Sequence, residues 1–253
     1  MPRTLIWSCC VAVASLAPGA WAGTVTFLGE DLGSGDFLAP RLTSTPNADA
    51  AAAAFQSQLV GVGVETFESF ADDTPAPLAV SFPGSAGNIT ATLTGAGRVN
   101  TLTTGTLAGR YPISGDNYWE TGDSFAVTFD KPVAAFGFWA TDIGDFGGQV
   151  VLTLTNGGTE TINIGNTTGS SGTIGGGVLF FGLLKTAGET FTSVTFGTTA
   201  GGFDFFGFDD FTVGDVGQLV GGGSSVIPLA PSALLAGAGL VGLTALRRRA
   251  TAD

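Results

Sequence analysis

Asp116-Asn117-Tyr118-Trp119-Glu120 sets two aromatic rings among two carboxylates and an amide. Proteins hold sugars with that mixture: an exposed ring stacks on a pyranose face, and carboxylates and amides bond the hydroxyls. The stretch reads as a connection between strands and is the leading ligand-site candidate. The alternative is a set of rings packed on the rim of the fold, as suits side chains with an apolar body and one polar edge. Tyr111 belongs to the same aromatic group, whereas Trp139 sits in an apolar run and reads as core. A second group, Thr141 to Gly148, holds Asp142 and Asp145 three apart in a glycine-rich turn. Those carboxylates could face a cation or a sugar hydroxyl, or bond their own backbone in a solvated turn. The spacing and terminal Glu of an EF-hand loop are absent.

Other chemistry is excluded by composition. The chain has no histidine, which removes the usual zinc sites and the Ser-His-Asp and Cys-His forms of catalysis. No glycine-rich phosphate loop with its lysine is present. Paired carboxylates would suit a glycosidase, but Glu65 and Glu68, three apart on an expected strand, point to opposite faces. We therefore expect no enzymatic activity, with glycoside hydrolysis third among the functional readings.

The elements that must position these groups are strands. Runs of strand type occur at 24–28, 62–70, 78–82, 89–94, 125–129, 133–140, 150–155, 159–164, 178–184, 191–196 and 205–213. Turn residues separate them, with Asn156-Gly157-Gly158 a hairpin signal. Many short strands at this spacing predict an all-β sandwich. One segment, Asn47 to Leu59, carries an alanine run with Ala51, Phe55 and Leu59 on one face. It predicts a short helix opened by Asn47 or Asp49 and lying across one end of the sandwich. Gly214 to Ser225 reads as a Gly/Ser linker.

Both ends of the chain differ from this body. Residues 1–22 carry Arg3, an apolar stretch and Ala20-Trp21-Ala22, the pattern of a cleaved secretory signal peptide. At the other end Val226, Pro228, Leu229, Ala230 and Pro231 precede an uncharged run to Leu246, closed by Arg247, Arg248 and Arg249. As a helix, Leu229 to Leu246 would be about 27 Å long, enough to cross a thin bilayer, with the arginines held on the cytoplasmic side. The body at 23–213 would then lie outside the cytoplasm. Of the 21 acidic residues all but Asp253 fall between 23 and 225, against Arg41, Arg98, Arg110, Lys131 and Lys185. Such an anionic body repels nucleic acid. Cys9 and Cys10 would leave with the signal peptide, so the body must hold without disulfides.

The tripartite tail resembles the PEP-CTERM class of exported bacterial proteins, and within it the VPLPA-CTERM type, although Ile227 and the order Ala230-Pro231 depart from that motif. The resemblance covers residues 226–253. It implies an exosortase as processing enzyme, transient anchoring in the inner membrane through the C-terminal helix, and a final place at the cell surface or in the extracellular matrix.

Gly207-Phe208-Asp209-Asp210-Phe211 resembles the closing strand of carbohydrate-binding jelly-roll modules, in which an Asp commonly joins a structural calcium site with a Glu from an early strand. The resemblance implies a jelly-roll-like sandwich and a calcium site at Glu68, Asp209 and Asp210, where carboxylates supply part of the six to eight oxygens that calcium takes. The expected function is association with extracellular polysaccharide. The alternative is a structural surface or matrix protein without a specific ligand.

Overall fold

The computed structural model describes residues 23–35, 39–169, 175–200 and 204–221. The expected signal peptide and the sorting tail from Val226 to Arg249 lie outside the described residues.

Thirteen strands follow in chain order: β1 (Thr24–Asp31), β2 (Gly63–Glu65), β3 (Leu78–Phe82), β4 (Ile89–Gly95), β5 (Arg98–Thr101), β6 (Asn117–Thr121), β7 (Phe125–Val133), β8 (Ala135–Thr141), β9 (Val150–Thr155), β10 (Thr159–Asn163), β11 (Val178–Lys185), β12 (Phe191–Thr198) and β13 (Phe206–Gly214). One helix, α1 (Pro46–Gln56), lies between β1 and β2. The strands form two antiparallel sheets packed as a sandwich. One runs β1-β11-β8-β13-β6-β5, with β2 also on β13; the other runs β10-β9-β12-β7-β4-β3.

The two sheets bury their residues differently. In the second sheet Leu78, Val80 and Phe82 alternate with exposed neighbours, as do Phe125, Val127 and Phe129 with exposed or half-buried ones. That sheet has one dry face and one wet face. In the first sheet β11 is buried along its whole length. Its Leu179, Phe181 and Leu183 enter the core between the sheets, while Val178, Phe180 and Leu184 join a second apolar cluster with Phe27 and Phe55. The continuous apolar run Val178 to Leu184 is thus a strand covered on both faces.

The cover is α1. Phe55 is fully buried and its ring centroid lies 5.7 Å from those of Phe27 and Phe180. The ring rests on Gly182 of β11 and Gly137 of β8, which are cross-strand partners. A Cβ on either would come within 2.6 Å of a ring carbon. The helix therefore packs on the outer face of a sheet and not across an end. Its first amides, Asn47 N and Ala48 N, donate to Asp31 Oδ2 at 3.0 and 2.9 Å. The side chain that receives the first helix amides is thus Asp31 at the end of β1, a negative charge at the positive helix end, and not Asn47 or Asp49.

Three further differences from the sequence reading have local causes. The strand expected at 62–70 stops at Glu65, because Phe67 takes the left-handed conformation, φ 59°. Two strands, β5 and β6, occupy a region read as a connection. The stretch expected as linker from Gly214 is folded over its first residues: Gly214 ends β13, a short turn at Val216–Gln218 is capped by Asp215, and Leu219 is buried. Among the described residues no helix is long and apolar enough to cross a membrane.

The glycine slot makes a testable pair. Phe55→Ala should cost about 3–5 kcal/mol and lower the melting temperature by roughly 10 °C. Gly182→Ala should destabilise the wild type through the clash with the Phe55 ring. In the Phe55→Ala background it should cost far less. Thermal denaturation of the two single variants and the double variant checks the coupling.

Candidate functional site

Asp116-Asn117-Tyr118-Trp119-Glu120 is strand, not loop: Asn117 to Thr121 form β6, buried throughout. It lies between β13 and β5. Trp119 is fully buried in the core between the sheets, beside Phe67 and Phe125. A Cβ on Gly97 would lie 2.5 Å from its indole. Tyr118 is also fully buried, against Gly207 on the other face of the sheet, and burial pushes its phenol above the usual range. Neither ring can stack on a sugar, which corrects the expectation of an exposed platform here. Asn117 serves structure too, its Nδ2 donating to the carbonyls of Phe67 and Phe70 at 3.1 and 3.0 Å. Only Asp116 is half-buried rather than buried.

Glu120, 4% exposed, is the hub of a charged cluster. It accepts from Arg110 Nε at 2.9 Å, Arg98 Nη2 at 3.2 Å and Asn100 Nδ2 at 3.1 Å. A carboxylate so enclosed is fixed in place by its partners, unlike a free acid or base.

Glu68, Asp209 and Asp210 do converge, but on backbone amides and a hydroxyl. Asp209 Oδ2 accepts from Ile113 N at 2.8 Å and Ser114 N at 3.1 Å, and its Oδ1 from Asp210 N at 2.7 Å. Asp210 Oδ1 accepts from Ser114 Oγ at 2.6 Å. Glu68 Oε1 accepts from Asp116 N at 2.9 Å and Asn117 N at 2.6 Å. Together they grip residues 113–117. β13 makes this possible by switching partner along one edge: Phe206 to Phe208 pair with β6, Phe211 to Val213 with β2. Between them its register on β8 slips by one residue, and Asp210 turns left-handed, φ 49°. This is a β-bulge, which leaves one residue unpaired and re-aims its neighbours. Sequence held the signal. The inward residues run Phe206, Phe208, Phe211, Val213, and the step of three across the two aspartates requires an extra residue.

Burial pushes the Asp209 carboxyl well above its ordinary range, and the charge of Asp210 adds to this against the amide bonds. Burial also raises Asp210, opposed by the Ser114 bond and aided by the charge of Glu68.

An open cleft of about 540 Å³ lies at the β5–β6 edge, lined by Asp73, Arg98, Glu120, Asp123 and Phe205. Phe205 is 42% exposed, with the Arg110 guanidinium 5.2 Å from its ring centroid. Gly122 leaves room for that ring, since a Cβ there would lie 2.8 Å from it. Arg98 spans the rim, bonded to Glu120 and paired with Asp73 at 3.3 Å. Sequence reasoning missed Phe205 because it reads as the first residue of an apolar strand. It precedes β13, out of phase with the inward Phe206 and Phe208.

Asp209→Ala should strand the Ile113 and Ser114 amides and cost about 3–5 kcal/mol, roughly 10 °C in melting temperature. Asp209→Asn keeps one acceptor and should cost less. A folded pKa above the unfolded value of about 3.9 gives stability that is fully present below that value and lost as pH rises through the folded one. The advantage of wild type over Asp209→Asn should therefore shrink as pH climbs from about 4. Denaturant titrations at several pH values measure it.

No protein-family model matches the chain, and no curated protein matches it. Among solved structures, the K2 cleaved adhesin domain of Lys-gingipain is similar over 60% of this chain and 97% of its own, at 16% identity and a TM-score of 0.35. TmCBM61, solved in complex with β-1,4-galactotriose, is similar over 59% of this chain and 93% of its own, at 14% identity and a TM-score of 0.27. Neither likeness assigns this chain to a family.

Proposed function

We propose that this is an exported protein of the cell surface or extracellular matrix that binds polysaccharide in the cleft beside Phe205. The observation that carries the reading is an exposed aromatic ring set among Asp73, Arg98 and Asp123 in an open groove. It is the combination the sequence analysis sought at Tyr118 and Trp119, found instead on the neighbouring loop. A ring offers an apolar face to the C–H side of a sugar, and the charged rim offers donors and acceptors to its hydroxyls. An open groove admits the middle of a chain as well as its end, which suits a polymer.

The remaining parts of the proposal rest on sequence. The signal-peptide pattern at 1–22 and the PEP-CTERM-like tail at 226–253 support export, passage through an inner-membrane-anchored form, and processing by an exosortase. The two-sheet sandwich, with β2 carrying Glu65 beside the closing strand β13, agrees with a jelly-roll-like class. A binding role is favoured over catalysis because the chain has no histidine and Glu120 is held by two arginines and an asparagine.

Full-length protein titrated with exopolysaccharide from its own host should bind saturably. Phe205→Ala removes a ring contact of about 1.5–3 kcal/mol and should weaken binding roughly tenfold or more, with little change in melting temperature. Calorimetry or a glycan array measures it. Absence of saturable binding in the wild type would leave the structural matrix role standing. Sugar release during incubation would instead indicate a hydrolase.

A further inference from the structure

Three segments meet where β8 ends: the turn from Asp142 to Gly148, the stretch around Asn166, and Asp204 just before β13. They are laced together, Gly169 N donating to Gly144 O at 2.8 Å and Gly147 N to Gly169 O at 2.7 Å. Asp142, Asp145 and Asp204 are 3%, 8% and 4% exposed. Each brings a carboxylate oxygen within 4.8 Å of the other two, the one such trio of potential metal ligands among the described residues. The side-chain cation beside them is Arg110, whose Nη1 is 3.8 Å from Asp142 Oδ2 while its Nε is taken by Glu120.

A second observation concerns unpaired oxygens. Asp145 Oδ1, Asp204 Oδ2 and Asn166 Oδ1 are buried without a hydrogen-bond partner. Asn166 is tied to this cluster by its Nδ2, which donates to Gly148 O at 3.1 Å. A Cβ on Gly148 would lie 3.1 Å from both Asp204 Oδ2 and the Asp145 carbonyl oxygen, and that carbonyl accepts from Gly148 N at 2.9 Å. Five buried side-chain atoms lack partners among the described residues. The carboxylate and amide oxygens among them all fall here; the others, on Tyr118 and Trp119, belong to β6. Buried acceptors left unpaired are costly, and another acceptor cannot satisfy them. A proton shared between Asp145 and Asp204 satisfies part of the cluster; a divalent ion would satisfy all three carboxylates at once.

We infer that Asp142, Asp145 and Asp204 form a divalent-cation site of the calcium class, with Asn166 Oδ1 as a neutral ligand. The ligand set is all oxygen, as hard cations require, and mixes carboxylates with an amide carbonyl as calcium sites do. Magnesium, which demands a tight octahedral shell and keeps its waters, suits a buried set of this kind less well. Burial raises Asp142 to about 7 and Asp204 to about 8, with the charge of Asp145 the next cause in both. That repulsion is what a bound cation removes. The inference does not depend on polysaccharide binding. The ion would also anchor Asp204, the residue before Phe205.

Full-length protein melted in chelator and in millimolar calcium tests the site. A folded-state ligand at a hundredfold excess over its Kd should raise the melting temperature by roughly 5–10 °C, with a one-to-one stoichiometry by calorimetry and a smaller effect of magnesium. Asp204→Asn and Asp145→Asn should still melt cooperatively in chelator, yet lose the calcium shift. Asp210→Asn, outside the trio, should keep it. An unchanged wild-type melting point and no calorimetric binding would overturn the inference, as would a shift that survives in Asp204→Asn but vanishes in Asp210→Asn.

Discussion

The carboxylate of Asp209 is the constraint on which the site end of this sandwich depends. It is 1% exposed and sits where β13 gains a residue and changes partner from β6 to β2. Ladder hydrogen bonds fail at such a point, and the neighbouring amides need another acceptor. Asp209 supplies it to Ile113 and Ser114, while Asp210 and Glu68 hold the residues around them. The segment 113–117 is thereby fixed and leads directly into β6. Its Glu120 then sets Arg98 and Arg110, the two cations at the cleft. Acidic side chains here do the work of a missing strand.

The rest of the fold is held by aromatic packing. Phe138 lies at the centre of the inter-sheet core, with ring centroids of Phe196, Phe208, Phe181 and Phe136 within 6.0 Å. Rings at these spacings contribute beyond their buried area. The opposite face of the first sheet would be wet without α1. The pair Gly137–Gly182 admits Phe55 and lets the helix approach closely. A chain without body cysteines thus has two apolar layers in place of cross-links.

Much of this was legible in the sequence. Alternation and continuous apolar runs placed most strands within a residue or two, while the cover on both faces of 178–184 came from the structure. The helix was legible from its alanines and Phe55, but its position was not, because the glycine slot that receives it is formed by residues 45 apart in sequence. β5 and β6 were missed because Asn117, Glu120 and Arg98 look like loop residues. They are buried as a charge network that only the folded pairing creates. Glu68, Asp209 and Asp210 were read as calcium ligands, whereas the partners seen in the structure are amides at 113–117 and the Ser114 hydroxyl, and amides carry no side-chain signal. Asp204 escaped notice since nothing in sequence ties it to Asp142 and Asp145, roughly sixty residues earlier.

The proposed binding site draws on the same economy. Anionic loops that hold themselves by carboxylate–amide bonds can present a ring such as Phe205 without a rigid helix or a disulfide behind it. The most direct test of this account is native-state hydrogen exchange at Ile113 and Ser114. If the buried Asp209 carboxylate fixes this segment, both amides should exchange as slowly as those of β8 and β11, near the limit set by global unfolding. Exchange at the rate of an open loop, with the core strands still protected, would contradict it.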